Sequence, residues 1–158
     1  MNPYASVDRE AIWAALYNWM VAQVGNQFVS IGRKHVPPPD LVPAAQPALF
    51  VVQVKETHVP QKPPGVPTKL ILHGFFIVYC AAPAADEDIG AETVLAATTL
   101  NGLFLAIDNA MQPDNPVTGK FTLGGLVTHC WLEGDTDMDP GIFGDQAAAI
   151  LSVHILVP

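Results

Sequence analysis

The sequence is short of charge. Asp, Glu, Lys and Arg together make up 14% of its 158 residues, against about 25% in an average soluble domain. Cations are the scarcer kind, with seven Lys and Arg against fifteen Asp and Glu and a formal net charge of −8. They stand singly at Arg9, Lys55, Lys62, Lys69 and Lys120, and only Arg33 and Lys34 are adjacent. A chain that binds nucleic acid through its phosphates needs clustered cations. This composition excludes that class.

Cysteine is nearly absent as well. Cys80 and Cys130 form no C-x-x-C pair, so neither a disulfide framework nor a thiolate metal site is read. Each lies in an apolar run, where a buried free thiol is expected. Half of the residues are hydrophobic and mean hydropathy is +0.30, yet no run approaches the ~18 apolar residues of a membrane span. The longest candidate, "TVLAATTLNGLFLAIDNAM", is broken by Asn101, Asp108 and Asn109. The opening "MNPYASVDRE" has no apolar signal core. Synthesis in a reducing cytoplasm is the expectation.

Catalytic signatures are missing too. There is no G-x-S-x-G elbow, phosphate loop, G-x-G-x-x-G turn or H-E-x-x-H helix. His35, His58, His73, His129 and His154 occur singly and read as structural. Nothing assembles a nucleophile, a base and an orienting group. No enzyme and no cofactor are expected.

Proline is what the chain has in excess, with 15 residues. Nine of them fall between positions 37 and 67, in "VPPPDLVPAAQP" and "VPQKPPGVP". Both segments are predicted to be extended loops that cannot serve as central strands. They bracket "ALFVVQVKET", read as a strand with Phe50, Val52 and Val54 on one face and Gln53 and Lys55 on the other. "KLILHGFFIVYCA" is apolar on both faces and reads as a central strand covered on both sides. The pair is predicted to form a long hairpin with the second proline loop at its tip.

The remaining elements follow from periodicity. Residues 6–24 read as a helix capped by Ser6 or Asp8, with Ile12, Leu16, Met20 and Val24 on its apolar side. "QFVSIG" reads as a short strand. A second helix is predicted over 90–111, with Ala96, Leu100, Leu103, Phe104, Ile107 and Met111 as its stripe. Strands are predicted around 121–123, in "LVTHCWLEG" and in "AAILSVHILV", where Leu151, Val153, Ile155 and Val157 face inward. The order defines one α+β domain over 1–158: a mostly antiparallel sheet with a long hairpin and two main helices on one face.

One stretch imitates a metal loop. In "EGDTDMDPGIFGD", Asp135, Asp137 and Asp139 recur at every second position, as at the start of a calcium loop. Pro140 stands where that loop needs Gly, and Gln146 where it needs Glu. These aspartates are weak metal candidates, and a solvated acidic loop is the better reading. A soluble chain this apolar is expected to bury surface against copies of itself. Pro37, Pro38, Pro39, Pro43, Pro63 and Pro64 are the candidate subunit-interface residues.

The "DREAIWAALYNWM" helix, "RKHVPPPDLVPAAQPALFVVQVKE", the strands around "LILHGFFIVY" and the end "LGGLVTHCWLEGDTDMDPG…AILSVHILVP" are similar to those of tail terminator (tail completion, minor tail protein U-like) proteins of tailed bacteriophages. The resemblance covers nearly the whole chain. It implies an α+β subunit of a closed ring, commonly a hexamer, that caps the tail tube and stops its growth. It also implies a virion location at the head-proximal end of the tail after assembly in the host cytoplasm. The implied partners are further copies of the chain, the tail tube protein and a head-neck connector, with DNA passing through unbound. Alternative readings are a head completion protein or tube subunit, and more distantly a small ligand-binding domain or enzyme.

Overall fold

The computed structural model describes residues 7–59, 69–81, 96–139 and 146–158. The hairpin tip with Pro63 and Pro64, and the turn expected before the second helix, lie outside the described residues.

Helix α1 spans Arg9–Val24. Asp8 caps it: its carboxylate accepts the Ala11 N–H at 2.9 Å, meeting one of the donors a helix start leaves free. Ile12, Trp13, Leu16, Met20 and Val24 are buried along one side, as the four-residue repeat demands. Helix α2 spans Ala96–Ala110 and buries Leu100, Leu103, Ile107 and Ala110. Trp19 ties the helices together, its indole N–H donating to the Ala110 carbonyl at 2.7 Å. That carbonyl is one of those a helix end cannot satisfy internally.

The strands are β1 (Ser30–Gly32), β2 (Ala48–Val59), β3 (Lys69–Ala81), β4 (His129–Leu132), β5 (Asp137–Asp139) and β6 (Gln146–Leu156). They form one sheet in the order β1-β2-β3-β6-β4, with β5 also paired to β6. Only β1 and β2 run parallel; the other pairs are antiparallel. The β2–β3 hairpin is the predicted one. Its register shifts between Gln53, opposite Gly74, and Lys55, opposite His73. Val54 is the extra residue of this bulge and is exposed.

Both helices cover one face of the sheet. Leu49, Val51, Leu72, Phe76, Val78, Leu151, Val153 and Ile155 join their apolar sides in the main core. Ala48, Phe50, Ile77 and Tyr79 point to the other face, where Leu41 covers them with Val36 and Ala45 packed alongside. The first proline segment is thus the crossover between two parallel strands, and it carries its own small core.

Four expectations need correction. The crossover is not simply extended, because Pro38–Asp40 and Pro43–Ala45 are short 3-10 turns, each with proline at its start, where no N–H is needed. Gln53 and Lys55 do not share a face, because the bulge between them reverses the alternation. Strand β3 is covered on both sides only toward Cys80; Ile71, His73 and Phe75 stay half-buried. Residues 121–123 are not a strand. Leu123, Gly124 and Gly125 all have positive φ, which ends pairing in a tight turn. The Asp114 carboxylate holds that turn, accepting from the Thr122 N–H at 2.7 Å, the Thr122 hydroxyl at 2.8 Å and the Gly124 N–H at 2.8 Å.

Candidate interaction surface

The sheet face away from the helices gathers most of the residues that the sequence singles out. At one end lies the crossover. His35 pins its start, its Nε2 sharing a hydrogen bond with the Tyr79 hydroxyl at 2.7 Å while its ring meets Phe50 edge-on. Burial raises the Tyr79 pKa, so the phenol stays protonated. Leu41 is the buried anchor. Pro37, Pro38, Pro39 and Pro43 are exposed, and Val42 between them is 60% exposed. The segment therefore turns one apolar side inward and presents its prolines outward.

Beneath these prolines is a cavity of about 320 Å³, lined by Pro38, Pro39, Leu41, Val42, Pro43, Gln46, Ala81 and Gln146. Gln46 donates from Nε2 to the Leu41 carbonyl at 3.4 Å. Its Oε1, and Nε2 of Gln146, are buried with no partner among the described residues. Ala81 and Gln146 are paired at the ends of β3 and β6, so the cavity marks one end of the sheet.

Across the middle of the same face runs a row that sequence reading missed. Lys55, His73, His154 and Trp131 are paired in register on β2, β3, β6 and β4. The His73 and His154 rings are 4.6 Å apart, edge to face, and His154 stacks on Trp131 at 5.5 Å. Trp131 stacks in turn with His129 at 4.7 Å. Thr57 Oγ1 lies 2.9 Å from His73 Nε2. The Trp131 indole donates to Glu133 at 3.1 Å, and the same carboxylate oxygen lies 3.8 Å from His154 Nδ1. Desolvation, followed by the fields of His154 and Lys55, lowers the His73 pKa despite Glu133. His73 and His154, far apart in the sequence, become neighbours only through strand register, and no local spacing announces it.

The acidic stretch borders this row. Asp137 and Asp139 lie on β5, opposite Ile150 and Ala148. Strand alternation sets them on the face of the crossover, with Met138 on the helix side beside Phe104 and Leu151. Asp135 precedes the strand, and all three aspartates are exposed. The expected loop is therefore partly an edge strand, because β6 offers it a free ladder beyond β4. Among the described residues no group of three or more His, Cys, Asp or Glu is placed to hold a metal ion. Burial, with Asp114 nearby, pushes the Cys130 thiol up to about 12, and burial raises Cys80 as well. Both are buried and lie outside any disulfide. No helix among the described residues is long and apolar enough to cross a membrane.

These features define an α+β domain with one helical face and one partly covered face that carries its prolines, aromatic row and acids. No family model and no curated protein matches the chain. Among solved structures, its fold is similar to a chain of "Virion of native gene transfer agent (GTA) particle". The TM-score is 0.51 and the identity 15%, over 97% of this chain and 98% of that chain. At this identity the likeness is one of fold.

Proposed function

We propose that the chain is a structural protein of a phage-like virion, and within it the terminator of the tail tube. The observation that carries this reading is the likeness in fold to a chain of a gene transfer agent virion, over nearly the full length of both. The resemblance of its sequence to tail terminators supports the finer assignment. In this reading about six copies close into a ring on the end of the tube. The ring stops further addition of tube subunits and offers its other face to the head-neck connector. It works without catalysis or cofactor.

The partly covered sheet face suits such a role. A closed ring uses heterologous contacts, in which a surface of one subunit meets a different surface of the next. Exposed prolines on a buried anchor give a stiff contact surface that loses little freedom on binding. The excess of carboxylates gives DNA no cationic track to adhere to in passage.

Negative-stain imaging of the purified protein with tail tubes tests the assignment. Single rings on one end of each tube, and tubes that no longer lengthen, are the expected result. Self-stacking into long tubes would mark a tube subunit instead. Rings that bind heads but leave tubes growing would mark a head completion protein.

A further inference from the structure

A hollow of about 270 Å³ opens in the middle of the sheet face away from the helices. Lys55, His73, Ser152 and His154 give it a polar lining, and Val54 and Phe75 an apolar one. The Lys55 ammonium has donors and no acceptor, and the Ser152 hydroxyl can donate. Thr57 engages Nε2 of His73, and Glu133 stands near Nδ1 of His154, which leaves one nitrogen of each ring for a partner. Desolvation, then the charges of His154 and Lys55, depress the His73 pKa against the pull of Glu133. The local field is on balance positive, in a chain whose formal net charge is −8. This is a chemistry for a carboxylate.

We propose that the hollow receives the Asp137 carboxylate of a second copy of this chain. The proposal rests on the ring reading and names one of its contacts. Asp137 is exposed, as are Asp135 and Asp139 beside it. Pairing with β6 fixes the strand that carries it, so little freedom is lost on docking. Copies of an acidic chain repel each other unless their contact neutralises carboxylates. Arg9 and Arg33 are already paired with Glu56 and Glu10, whereas Lys55 stands exposed beside two imidazoles and a hydroxyl.

Distance makes the partner a second copy. Lys55 is level with His73 on β3 and His154 on β6, whereas Asp137 is level with Ile150 on β6. Strands β2 and β5 are separated by β3 and β6, which sets them about 14 Å apart at ~4.8 Å per strand. The step along β6 from Ile150 to His154 adds about 13 Å in the perpendicular direction. Lys55 and Asp137 of one chain thus lie roughly 19 Å apart, beyond the reach of their side chains. They mark opposite sides of the sheet, the two unlike surfaces of a head-to-tail contact.

Charge exchange on the full chain tests this. Lys55→Asp and Asp137→Lys are each expected to weaken association in sedimentation by about tenfold or more, because a like charge replaces the pair. Both positions are exposed, so the melting temperature should hold. Mixed one to one, the two variants are expected to recover wild-type association, since every hollow then meets the opposite charge on its neighbour. Wild-type association of either variant alone, or a mixture that does not recover, would overturn the proposal. Cysteine pairing separates the contact from the ring. Val54 lines the hollow and is exposed, Thr136 is exposed next to Asp137, and the native thiols are buried. Mixed under mild oxidation, V54C and T136C are expected to give a heterodimer well in excess of either homodimer. Closed rings that give no heterodimer would remove the contact and keep the ring reading. A heterodimer from a chain that never closes into rings would keep the contact and remove the ring reading. Absence of both would remove both.

Discussion

Trp13 packs on Gly74 so closely that no other residue fits there. A Cβ on Gly74 would stand 2.5 Å from Cη2 of Trp13 and 2.5 Å from the Val52 carbonyl oxygen. Glycine in the middle of a strand weakens it unless something must approach the backbone. Here a tryptophan of α1 does so, beside the β2 bulge. The helix, the bulge and the glycine make one joint between helical layer and sheet.

Gly74→Ala is therefore expected to destabilise the isolated chain by about 2 kcal/mol through overpacking. That corresponds to a melting temperature lower by roughly 4–8 °C for a domain of this size. Thermal unfolding monitored by circular dichroism checks it. An unchanged melting temperature would mean that Trp13 is free to move away.

Much of the fold was legible because its elements announce themselves locally. The Asp8 cap, the Ile12–Leu16–Met20–Val24 repeat and the alternation through Leu151, Val153, Ile155 and Val157 needed no tertiary information. Nor did the hairpin, whose strands flank a proline-rich tip. What stayed hidden depends on contacts remote in sequence. The bulge at Val54 lies beside Gly74, where Trp13 packs, and no local signal marks it, so the faces of Gln53 and Lys55 could not be read from alternation. The turn at Leu123–Gly125 depends on Asp114, which precedes it in a separate loop. His73 and His154 become neighbours only when β3 pairs with β6. The crossover's prolines were legible as surface, but its inward side rests on Leu41 with Val36 and Ala45, whose spacing leaves no periodic signal.

The crossover separates folding from assembly by residue. Leu41→Ala should destabilise the isolated chain by about 2 kcal/mol, the low end for a buried leucine. Replacing Pro37, Pro38 and Pro39 by Gly-Ser-Gly should cost its stability about 1–3 kcal/mol, because each proline restrains the unfolded chain by about 0.4–1 kcal/mol, and should also weaken rings, which Leu41→Ala should not. Urea unfolding at low concentration, paired with sedimentation at high concentration, tells the two effects apart. A large loss of stability with intact rings in the triple variant would reverse the assignment.

Acid should loosen the histidine row. Desolvation, then His154 and Lys55, depresses the pKa of His73. Desolvation also depresses His129, helped by Lys120 against an opposing hydrogen bond at Phe121. Both folded values lie below the unfolded imidazole value near 6.5. The unfolded chain therefore takes up these protons first. The stabilisation is complete above about pH 6.5 and is lost as pH falls through the folded values. Urea midpoints should drop between pH 7.5 and pH 5, and drop less in H73Q/H129Q. Equal slopes for both proteins would contradict this.

Asp135, Asp137 and Asp139 are expected to act by charge. Changing all three to Asn should leave the urea midpoint of the isolated chain nearly constant, within about 0.5 kcal/mol for exposed positions. Assembly should respond to the change at low salt and lose that response near 1 M, where the screening length is ~3 Å. Calorimetry that found micromolar calcium binding abolished by the triple change would restore the metal reading.

The ring is the central claim, and mass in solution tests it most directly. Sedimentation velocity across a concentration series should show the 16.9 kDa chain giving way to one closed species of about six times that mass, with no larger assemblies at higher concentration. A chain that remains monomeric throughout, with tail tubes present as well as absent, would contradict the account.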